Sequence, residues 1–132
     1  MQPYSNTLTG PVPDIDGTPL GDAITDTSGV HAGVDLIREG LLLLASSPLP
    51  LDRVPTIIAT LAGGTVDEPD IITAIGHLIA RLTDASTNPA LADLPEERQK
   101  AIERKGAEAL YRLTDVWPRV PTSDAAALID GI

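Results

Sequence analysis

The stretch DEPDIITAIGHLIARL, residues 67–82, decides the fold class. Ile71, Ile72, Ile75, Leu78, Ile79 and Leu82 fall at steps of i, i+1, i+4, i+7, i+8 and i+11, which is one stripe of an α-helix and no face of a strand. The residues in front of the stripe form a helix start. Asp67 is placed to cap, Glu68 and Asp70 set negative charge at the positive end of the helix dipole, and Pro69 is tolerated in the first turn. The polar segment from Asp84 to Asn88 ends the pattern.

The same period continues on both sides. Upstream, Thr27 or Ser28 is a suitable N-cap for a helix whose Val30, Val34, Ile37, Leu41 and Leu44 recur at three- and four-residue steps. Leu36, Leu42 and Leu43 widen that stripe until the end of the helix is apolar on nearly every side, and Pro48 and Pro50 close it. Such a helix is expected at the centre of its bundle or at an oligomer interface. A short helix opened by Asp52 or Pro55 follows, carrying Ile57, Ile58 and Leu61 to a glycine stop at Gly63-Gly64.

Downstream, Asn88-Pro89 starts a single turn, and Asp93-Leu94-Pro95-Glu96 is an opening of capping-box type. The helix behind it is expected to run about 22 residues, or roughly 33 Å. Ile102, Ala109, Leu110, Leu113 and Trp117 face inward, and Pro118 and Pro121 stop it. Thr122 or Ser123 then caps a short final helix over residues 125–130, ended by Gly131. The expected fold is all-α: over residues 28–132, a small bundle of about five helices, three long and two short.

Residues 1–27 have another character. Prolines at 3, 11, 13 and 19 fix φ and remove backbone donors, glycines at 10, 17 and 21 loosen the chain, and no basic residue precedes Arg38. The segment reads as an extended or disordered acidic arm, neither helix nor central strand. Its apolar residues Leu8, Val12, Ile15, Leu20 and Ile24 recur every three to five positions, more often than a spacer requires. They make it a candidate arm that docks on its own body or on a neighbouring subunit.

Composition excludes several classes of function. With 132 residues the chain is expected to form one domain plus its arm, and with no Phe and one Trp its core must be aliphatic. The net charge is −10. Residues 1–27 hold four acids and no base, residues 28–95 eight acids and three bases, and residues 96–132 seven acids and six bases. A field of that sign repels phosphate backbones and argues against direct nucleic-acid binding. The absence of cysteine removes disulfides, thiolate metal sites and thiol nucleophiles. The first residues lack the basic region and apolar core of a signal peptide, and the apolar run Leu41–Ala45 is far too short to span a bilayer. A cytoplasmic protein is expected, and the Ala-, Asp- and Arg-leaning vocabulary fits a GC-rich bacterial genome.

The candidate sites are few. His31, Asp35 and Glu39 lie at i, i+4 and i+8, a row that could serve a metal or general-base chemistry but more often forms a solvated strip. His77 stands alone on the polar side of its helix. Asp14-Ile15-Asp16-Gly17 resembles the opening of a calcium loop, but its glycine comes two positions early and the twelfth position is Thr25. Lys100, Arg104 and Lys105 form the densest basic spot and could receive an acidic arm. Gly33, Gly40, Gly76 and Gly106 interrupt predicted helices on or beside their apolar stripes, as close helix crossings require. No catalytic triad, phosphate loop or metal set is present, so no enzyme activity and no cofactor are expected.

The favoured function is a non-catalytic interaction or assembly protein, a homo-oligomer with protein partners, using Leu36, Leu42 and Leu43 and the arm. An acidic inhibitor occupying a basic surface, as a nucleic-acid mimic does, is the second reading. A small helical enzyme or ligand-binding protein built on His31, Asp35 and Glu39 is the third.

Overall fold

The computed structural model describes residues 11–65 and 67–131. It is all-α, with no strand among the described residues. Six α-helices follow in order among the described residues: α1 (Pro19–Asp26), α2 (Ala32–Ser46), α3 (Val54–Ala62), α4 (Ile71–Leu82), α5 (Glu96–Leu113) and α6 (Val120–Asp130). Single 3-10 turns at Leu51–Arg53, Pro89–Leu91 and Trp117–Arg119 lead into α3, α5 and α6. The chain divides into two compact units that meet in sequence between Leu51 and Asp52.

The first unit is a helical hairpin of α1 and α2. The expectation of an arm without helix does not hold over Pro19–Asp26. The Thr18 hydroxyl accepts the Gly21 N–H at 3.1 Å, Pro19 occupies the first turn and Asp22 adds negative charge there. Proline at that position loses no helical hydrogen bond, so the residue that argued against a helix in fact starts one. Nor does α2 begin behind Thr27 or Ser28. Thr27 closes α1, with its hydroxyl donating to the Ala23 carbonyl at 2.8 Å, and Gly29 turns the chain at φ +77°. His31 is the N-cap of α2.

The second unit holds α3 to α6, with main contacts running α6–α3–α4–α5. The crossing of α4 and α5 is set by two of the four helix-interior glycines. A Cβ on Gly76 would lie 3.1 Å from Leu110 Cδ1, and one on Gly106 would overlap the Thr83 hydroxyl and lie 2.6 Å from the Thr83 Cβ. Both glycines are buried, as a close crossing requires. Gln99 fastens the turn before α5, donating to the carbonyls of Leu91, Ala92 and Leu94 at 3.2, 3.1 and 2.9 Å.

Three boundaries in this unit differ from expectation. The N-cap of α4 is Asp70 rather than Asp67, which leaves Pro69 outside the helix. No capping box forms before α5, because Pro95 is the N-cap and has no side-chain acceptor. The helix also spans 18 residues rather than about 22: it ends at Leu113, and Trp117 lies in the next turn, 80% exposed. Pro118 and Pro121 then sit where proline is tolerated, in the turn and at the start of α6, so α6 begins at Val120 and not Ala125.

Candidate functional site

The described surface that stands out is α2. Its 15 residues include none that is buried. Leu36, Leu42 and Leu43, the three that over-widen the apolar stripe, are 68%, 44% and 67% exposed. Ile37 and Leu41 are exposed as well. Among the described residues of its own unit, α2 is therefore not enclosed by other helices. Among the described helices its main neighbour is α1, where Ile24 is buried and Arg38 Nε donates to the Ile24 carbonyl. That contact satisfies a carbonyl left open at the end of α1. A hairpin of two helices buries too little apolar surface to be stable by itself, since short helices draw most of their stability from packing.

The glycines of α2 differ from those of α4 and α5. A Cβ on Gly40 would meet nothing within 4 Å, and one on Gly33 would meet only the His31 ring. Glycine in a helix interior costs about 1 kcal/mol relative to alanine. At Gly76 and Gly106 that cost is offset by a close crossing; at Gly40 no neighbour among the described residues comes within 4 Å of the Cβ position.

His31 and Asp35, in the row with Glu39, have separate local partners. His31 Nδ1 accepts the Gly33 N–H at 2.8 Å, which makes the imidazole a cap. Asp35 Oδ1 accepts from the Gly29 N–H at 3.1 Å and from Arg38 Nη1 at 3.0 Å. Glu39 is exposed. Asp14 Oδ1 accepts the Asp16 N–H at 3.0 Å, the geometry of a turn rather than of a cation loop. No group of three His, Asp or Glu residues among the described residues could hold a metal ion.

Of the arm residues, Ile24 is used within its own unit, Val12 and Leu20 are exposed, Ile15 is half-buried, and Leu8 lies outside the described residues. The basic spot is partly paired along its own helix, Lys100 with Glu96 at 3.7 Å and Lys105 with Glu108 at 3.2 Å. Glu108 also pairs with Arg112 at 3.1 Å, and Arg104 has no ion pair among the described residues.

The second unit contains a polar cluster that the sequence reading missed. Arg119 Nη1 lies 2.7 Å from both carboxylate oxygens of Asp70, whose side chain is 0% exposed and that of Arg119 9%. Thr73 donates to Asp70 Oδ1 from its N–H at 2.9 Å and its hydroxyl at 2.7 Å, and the Gly64 N–H reaches Oδ2 at 2.8 Å. Arg119 Nη2 donates to the Thr114 carbonyl at 3.0 Å. Burial pushes the Asp70 carboxyl up, but the Gly64 and Thr73 hydrogen bonds and the Arg119 charge outweigh it and hold the group below its ordinary value. The cluster joins the end of α3, the start of α4, the end of α5 and the turn before α6. No local signal marks it, because the two charges are separated by 49 positions.

Beside this cluster lies a cleft of about 300 Å³ lined by Thr73, His77, Leu110, Thr114, Val116 and Arg119, among others. Its cation is already neutralised by Asp70, and its imidazole has no ion-paired acid among the described residues. The arrangement ties the start of α4 to the end of α5 and to the turn before α6. No described helix is long and apolar enough to cross a membrane. Comparisons of the chain with models of protein families, with curated proteins and with solved structures find no match.

Proposed function

We propose that this chain is a non-catalytic protein-interaction or assembly protein, acting in the cytoplasm, whose docking surface is α2. The observation that carries the proposal is that α2 has no buried residue while Leu36, Leu42 and Leu43 stay exposed. Exposed apolar surface of that density on a small helical hairpin is a mark of an interaction site. The second unit supplies a body held by the Asp70–Arg119 cluster. A chain without cysteine suits a reducing compartment.

The test is a photo-crosslinking side chain placed at Leu43 in the native host, with the exposed Arg98 of α5 as control. Protein adducts at position 43 and none at position 98 are expected. Equal labelling at both positions, or none at 43, would sink the proposal. The reading as an acidic inhibitor is supported by the net charge alone. It predicts adducts that vanish as salt rises, whereas apolar docking persists.

A further inference from the structure

We draw no further inference here: the strongest candidate, the cleft of about 300 Å³ between α4, α5 and the turn before α6, carries nothing, because the Arg119 guanidinium in its wall is committed to Asp70 and Thr114, the Arg119 Nε without a partner among the described residues is itself buried and offers no surface to a ligand, and nothing in the structure shows what fills the cleft.

Discussion

A carboxylate with no contact with solvent stays ionised only where its surroundings replace the lost hydration, and Asp70 shows how this chain does so. Two N–H groups, a hydroxyl and a guanidinium converge on it. Removing one partner of a buried pair leaves an uncompensated charge, so Arg119→Ala should cost about 3–5 kcal/mol in urea unfolding. Pairing Asp70→Asn with Arg119→Met should cost less than the two single changes added together, as a double-mutant cycle would show. Gly106 is constrained in another way. Gly106→Ala should destabilise by about 1–3 kcal/mol, because the new methyl runs into Thr83. Gly76→Ala should cost less, since it meets the movable end of Leu110. The glycines were visible in the sequence as interruptions of helical stripes. Which of them mark a crossing was not, because that depends on the partner helix.

Among elements, α1 and α2 show how far local signals reach. Thr18, Pro19 and Asp22 are a sound helix start, yet proline and glycine density hid it. His31 reads as one end of a polar row and acts as a cap. His31→Ala should remove about 1 kcal/mol of helix stability and speed hydrogen exchange at Gly33, while His31→Asn should retain protection. Arg38→Ala should release α1, lowering exchange protection through Ile24–Thr27 while leaving α4 and α5 untouched. The stripe of α4 was legible from Ile71 to Leu82 because apolar spacing is a local property. Its cap was read three residues early, because Asp67 and Asp70 are chemically alike and only the position of Gly64 and Arg119 distinguishes them.

For the whole molecule, the Asp70 cluster couples folding to pH. Its carboxyl is held below the ordinary value in the folded state, so in acid the unfolded chain binds a proton that the folded chain does not. The stabilisation is complete above the unfolded carboxylate range and is lost as pH falls through the folded value. Acid titration of unfolding should show this loss, and Asp70→Asn should flatten it. Sequence by itself determined the all-α class, the aliphatic composition, the excess of acid and the over-apolar α2, because periodicity and charge are properties of neighbours along the chain. Only the tertiary structure decided that Asp70 meets Arg119, that Gly76 and Gly106 are filled and that α2 has no buried residue. Those facts depend on groups far apart in sequence, whose approach no local pattern encodes.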